Sequence, residues 1–249
     1  MPGTRRFLPL PLTVVALAAT LSATPVAMTS PGDDPDALYR QRETLDLAIR
    51  AADIWKARLS ASPRDFDVAC KLARARLYIG EMLPRRERAP HFKDGMAAAR
   101  IAIALEPRRP DGYFWLGTNM GALASVSSVF TALRYRSPVR EALEAVIDRD
   151  PAFARGGAFC VLGKYYGVVP GLFGGSKRRS EELLRRCLDY DPGSTVGHYY
   201  LGQTLVALGR THEARAAFQA AIDAPLDPEY VPEGRLWKRR ATRLLARLD

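Results

Sequence analysis

The chain has 249 residues, 47% of them hydrophobic and 26% charged, which is the composition of a folded protein with enough apolar residues for a core. Three Cys and three His exclude a disulfide framework and a four-thiolate zinc site and leave little for a metal centre. The net charge of +10 is the outlier, and its meaning depends on where the basic residues lie.

Residues 1–27 read as an export signal. Arg5 and Arg6 precede an uncharged apolar run from Phe7 to Leu21, followed by small residues with Ala23 and Ala27 as cleavage points. That run is too short for a bilayer core of about 30 Å. No Cys stands near residue 25, so the reading is an exported envelope or periplasmic protein without a lipid anchor. Removal of Arg5 and Arg6, the only charges in the segment, takes the net charge from +10 to +8. Residues 28–35 form a polar linker.

From residue 36 onward the chain is a helical repeat. A phrase closing in proline recurs at Ile101–Pro107, Ala145–Pro151 and Arg186–Pro192, each the apolar end of a helix stopped by a residue that cannot continue it. The clearest unit, 195–228, places Leu201-Gly202, Leu205, Leu208-Gly209, Ala214, Phe218 and Ala221 in the 34-residue tetratricopeptide pattern. Small residues there let two antiparallel helices approach, while large ones fill the gap to the next pair. Period and punctuation predict helices over 36–61, 65–82, 94–105, 111–134, 138–148, 153–167, 176–189, 195–208 and 211–223. A last helix, 233–248, carries one apolar face and suits a terminal cap. The fold class is all-α: an α-α superhelix in a single domain, 36–249.

Two segments interrupt the repeat. One is the basic stretch Met82–Asp94, predicted as a loop between paired helices. The other is Gly167–Ser176, whose Val168, Val169, Leu172 and Phe173 would be costly in water. Either it packs over its own helix pair, or Val169, Leu172 and Phe173 form the lip of a ligand cleft or a subunit contact. Residues 112–133 carry no charge but are too polar for a membrane span, which predicts a central buried helix. If the superhelix has an apolar interior, Tyr113, Trp115, Asn119 and Ser125 are candidates to line it; plain core packing is the competing assignment.

Catalytic and cofactor chemistry is not legible. Gly171–Lys177 superficially resembles a phosphate loop but lacks the adjacent Gly-Lys-Ser/Thr and follows a helix. His91, His198 and His212 share no i, i+4 face, so neither a metal nor an acid–base site is expected. Cys70, Cys160 and Cys187 fall on apolar helix faces, where buried inert thiols are the default; a Cys160–Cys187 bridge between paired helices is the alternative. The basic runs at 85–88, 177–179, 185–186 and 238–240 are spread over separate parts of the array, the middle two sharing the helix 176–189. They read as solvated faces or as attraction to an acidic partner or acidic membrane surface, with nucleic acid disfavoured by export.

Three phrases, Tyr113–Gly121, Asp150–Gly157 and Val169–Ser176, together with the repeats around them, resemble the TRAP transporter T-component (TatT) family over about residues 36–225. The resemblance implies a periplasmic helical cup with a central pore or cleft, and a homotrimer. It also implies partnership with a periplasmic solute-binding subunit and a small hydrophobic or organic-acid ligand. The sequence lacks that family's lipobox. The competing expectation is a general envelope scaffold that holds a peptide or assembly partner in its concave groove. A closed apolar cavity favours the first and an open charged groove the second.

Overall fold

The structure is a computed structural model that describes residues 34–248, so the expected export signal and most of the expected linker lie outside the described residues. The described chain is all-α, with eleven α-helices and no strand. They are α1 (Pro35–Arg40), α2 (Leu45–Ala61), α3 (Phe66–Met82), α4 (Arg88–Leu105), α5 (Asp111–Val126), α6 (Val129–Arg149), α7 (Gly157–Val168), α8 (Lys177–Tyr190), α9 (Thr195–Ala207), α10 (Thr211–Asp223) and α11 (Val231–Leu245). Consecutive helices pack as antiparallel neighbours, and α11 closes the array against α9 and α10.

Local chemistry sets most boundaries. Asp34 caps α1 ahead of Pro35, the Asp65 carboxylate accepts the Val68 N–H at 2.9 Å, and Ser176 and Ser194 cap α8 and α9 in the same way. At the other end, α4, α6 and α8 each stop two residues before Pro107, Pro151 and Pro192, because the residue preceding a proline is pushed out of helical conformation.

One contact recurs in four successive pairs. A glycine on the first helix lies under a large apolar side chain of the second: Gly80 under Phe92, Gly117 under Leu143, Gly163 under Leu184 and Gly202 under Phe218. A Cβ on these glycines would stand 2.3, 2.8, 2.5 and 2.6 Å from the opposing side chain, so the helices are closer than any side chain would allow. The pairs α3/α4, α5/α6, α7/α8 and α9/α10 are therefore built alike, although the intervening chain differs greatly in length. Within α7/α8 a disulfide joins Cys160 to Cys187 (S–S 2.09 Å, Cα–Cα 5.3 Å). The default of inert thiols thus gives way to the bridged alternative for these two, leaving Cys70 free.

Three expectations are corrected. The helix expected over 36–61 breaks at residues 41–44, where the Arg42 side chain turns inward. The expected loop 82–94 is mostly helix: α4 starts at Arg88, and Pro90 is tolerated because it falls in the first turn. The break expected before residue 138 comes earlier, at Ser127-Ser128, where Ser128 caps α6 through the Thr131 N–H; Pro138 then lies inside α6.

The two ends of the array meet. The Arg42 guanidinium, 4% exposed, donates to both carboxylate oxygens of Glu233 at 2.9 and 2.7 Å and to the Glu229 carbonyl. It stands 4.8 Å from the centre of the Tyr39 ring. Arg74 reaches Glu229 at 2.6 Å, Arg235 reaches Glu43 at 2.6 Å and Arg240 approaches Glu81 at 3.7 Å. Long side chains from α3 and the α1–α2 turn thus join the segment 229–240, curling the array into a cup.

Candidate functional site

Inside this cup lies a cavity of about 560 Å³, within the range of small-molecule sites. Its wall is predominantly apolar. α3 contributes Leu77, α5 Gly121 and Ala122, α6 Val139, α7 Val161, α9 Val196 and α11 Trp237. Trp237 is held by Tyr199 and Tyr200, with ring centres 5.1 and 5.3 Å away. The mouth is formed by two segments: the start of α6, through Val129, and the turn after α7, through Val168, Val169, Pro170 and Phe173. That turn is compact. The Ser176 N–H donates to the Tyr166 carbonyl at 3.0 Å, and Arg136 of α6 donates to the Phe173 carbonyl at 2.8 Å. Gly175 passes so close to the Val169 carbonyl that a Cβ would overlap it, and Gly174 takes φ +88°.

Three charged side chains interrupt the apolar wall: Glu81, Arg136 and Lys164. The Lys164 ammonium is 5.1 Å from the Tyr200 ring centre. Its pKa is raised, first by the Tyr200 phenol and then by Glu81, against the lowering effect of burial. Burial in turn raises the Tyr200 pKa, so this phenol is neutral at pH 7 and Glu81 is the carboxylate facing Lys164 there. Glu81 also serves Arg240. One carboxylate is therefore shared by two cations, while Arg136 donates to the uncharged Phe173 carbonyl. The cavity carries a positive pole.

The residues singled out in the sequence separate into two groups. Ser125, Val169 and Phe173 line the cavity. Leu172 is 90% exposed on the same turn. Tyr113, Trp115 and Asn119 lie elsewhere on α5. The Arg149 guanidinium covers the Tyr113 ring at 4.0 Å, and Trp115 meets Phe114 edge-on at 5.0 Å. Fully buried Asn119 donates to the carbonyls of Ala73 and Trp115 at 3.1 and 2.8 Å, tying α3 to α5. Lys164, Arg136 and Trp237 were missed. Each reads as an ordinary surface or cap residue in a linear repeat, and only the curling of the array turns it inward. The absence of acidic residues from 151–180 was the available signal.

The Asp150–Gly157 phrase forms an unusual turn, with Ala154, Arg155 and Gly156 at φ 49°, 52° and 74°. Left-handed Ala and Arg cost of the order of 1 kcal/mol each. The Arg155 guanidinium offsets this by pairing with Asp191 at 3.4 Å and with Asp227, in the turns of the two following repeats.

Among the described residues no group of three or more His, Cys, Asp or Glu is placed to hold a metal ion. Burial pushes the Cys70 thiol up to about 12, which leaves little thiolate at neutral pH. No helix among the described residues is long and apolar enough to cross a membrane.

Known proteins resemble the chain in sequence and in fold. An uncharacterised protein of Treponema pallidum (strain Nichols) is 31% identical over 132 residues, covering 49% of this chain and 38% of that one, so the match spans well under half of the relative. The crystal structure of a thermophilic tetratricopeptide protein of Thermus thermophilus superposes with a TM-score of 0.64 at 20% identity. It covers 85% of this chain and 97% of that one, a likeness of fold alone. The family model of the TRAP transporter T-component matches residues 49–249, and the chain belongs to that family.

Proposed function

We propose that this T-component is a non-enzymatic binding protein whose cavity takes the apolar chain of a small organic acid. Its partner is a solute-binding subunit in the cell envelope, reached after an export signal at 1–27 is removed from the single repeat domain 36–249. The observation that carries the reading is the pairing of an apolar cavity with the surplus cations Lys164 and Arg136 on its wall. Burying an aliphatic chain contributes about 0.8 kcal/mol per methylene, and a carboxylate supplies the negative charge that Glu81 shares out too thinly. Ser125, Val169 and Phe173 contact the ligand near the mouth. A scaffold role would need an open groove for an extended peptide, whereas here a charged seam joins the two ends of the helix array.

Trp237 supplies an intrinsic probe. Protein stripped of ligand by unfolding and refolding is titrated with decanoate and with decanol while tryptophan emission is followed. Decanoate is expected to bind roughly tenfold tighter, since one charged hydrogen bond contributes about 1.5 kcal/mol or more. Lys164→Met removes that difference, and Val161→Trp, which fills the cavity, abolishes both responses. Absence of binding by the stripped protein, or unchanged binding by Val161→Trp, overturns the reading.

A further inference from the structure

Four large apolar side chains stand in solvent around the mouth. Val129 and Val168 are 68% and 67% exposed, and Phe130 and Leu172 are 82% and 90% exposed. They belong to the two segments that Arg136 ties together through the Phe173 carbonyl. Val129 and Val168 face the cavity, whereas Phe130 and Leu172 carry the rim outward. The charges nearest them in sequence are all basic: no Asp or Glu occurs from Gly112 to Arg140 or from Pro151 to Ser180. Arg134 and Arg178 are exposed on these two segments, while Arg179 pairs with Glu182 at 2.9 Å.

Exposed apolar tips backed by cations are the arrangement of a protein that rests on a charged lipid surface. We infer that the rim docks on an anionic bilayer surface, with Phe130 and Leu172 among the acyl chains, Arg134 and Arg178 at the phosphates, and the cavity mouth facing the lipid. Charge selects this occupant over a second copy, since two such rims would oppose cation to cation. Shape selects it over an acidic protein: separate projecting side chains need a medium that deforms around them, whereas a protein partner must carry matching pits. The inference does not depend on which ligand the cavity takes.

The test is flotation of the mature chain with vesicles of phosphatidylglycerol and phosphatidylcholine, against phosphatidylcholine alone. Partition onto the anionic vesicles is expected to be at least about tenfold stronger and to weaken with salt. Phe130→Ser with Leu172→Ser should lower it about tenfold or more while leaving thermal unfolding unchanged, as both side chains are already exposed. Arg134→Glu with Arg178→Glu should lower it further, while Lys238→Glu with Arg239→Glu on α11 should matter little. The inference fails if anionic vesicles do not float the protein, as for a rim that recognises an acidic protein. It fails equally if the serine pair has no effect, or if the α11 pair matters as much as the rim pair, since either result means general adhesion of a cationic protein.

Discussion

The pair α9/α10 and the two pairs before it make the same central contact with very different lengths of chain. Sixteen residues separate Gly202 from Phe218, against twenty-one between Gly163 and Leu184 and twenty-six between Gly117 and Leu143. The glycine still meets the large side chain in each case. The surplus in the longer pairs emerges on the same side and becomes the mouth of the cavity. A repeat thus tolerates insertion where its helices are joined and resists change where they touch, because loop length costs little and a close contact costs much.

The largest effect concerns α7/α8, the lengthened pair whose two helices the Cys160–Cys187 bridge joins. Replacing both cysteines by Ala should lower stability by about 3 to 4 kcal/mol on loop entropy. Hydrogen exchange should show the loss in α7 and α8 before α9 and α10. Equal loosening of both pairs would mean that the bridge supports the whole array.

Next is the seam. Glu233→Gln leaves the buried Arg42 guanidinium without its counter-ion and should cost about 3 kcal/mol in denaturant unfolding. Arg42→Met combined with Glu233→Leu should recover most of that loss. If the single change is silent, the ends are held by something other than this pair.

The packing contact itself ranks third. Gly202→Ala and Gly117→Ala should each cost about 2 kcal/mol, the clash exceeding the gain in helix propensity. Similar values for the regular and the lengthened pair mean that both rest on one device, and a large difference means that they do not.

The smallest effect is on acid stability. Burial, and then Arg76, hold the pKa of His91 below its ordinary value, so the unfolded chain binds this proton more readily. Its contribution to stability is complete above the unfolded value, about 6.5, and is lost as pH falls from there through the lower folded value. His91→Gln should therefore flatten part of the decline in melting temperature between about pH 7 and pH 5.

The repeat architecture was legible because helix ends announce themselves: Asp65, Ser176 and Ser194 cap, and Pro107, Pro151 and Pro192 stop. The all-α class and the family rest on such local signals. The break at Ser127-Ser128 was hidden by the stronger signal of Pro138, which a helix accommodates here. The cavity was less legible. Ser125, Val169 and Phe173 come from segments whose composition stood out, but Lys164 and Trp237 face inward only because the array curls. Tyr113, Trp115 and Asn119 were conspicuous for being aromatic or amide in an uncharged helix, and that describes core packing as well as a ligand wall.

The seam between Arg42 and Glu233 also bears on how such a protein can change over generations. An open solenoid can gain or lose a unit at no cost to its neighbours, since each repeat answers only to the next. Here the first and last elements must arrive at the same place. One further helix pair would carry Glu233 out of reach of Arg42 and strand a buried cation. Variation is thus directed into the connections, so that the rim and mouth can diversify while the number of repeats stays fixed.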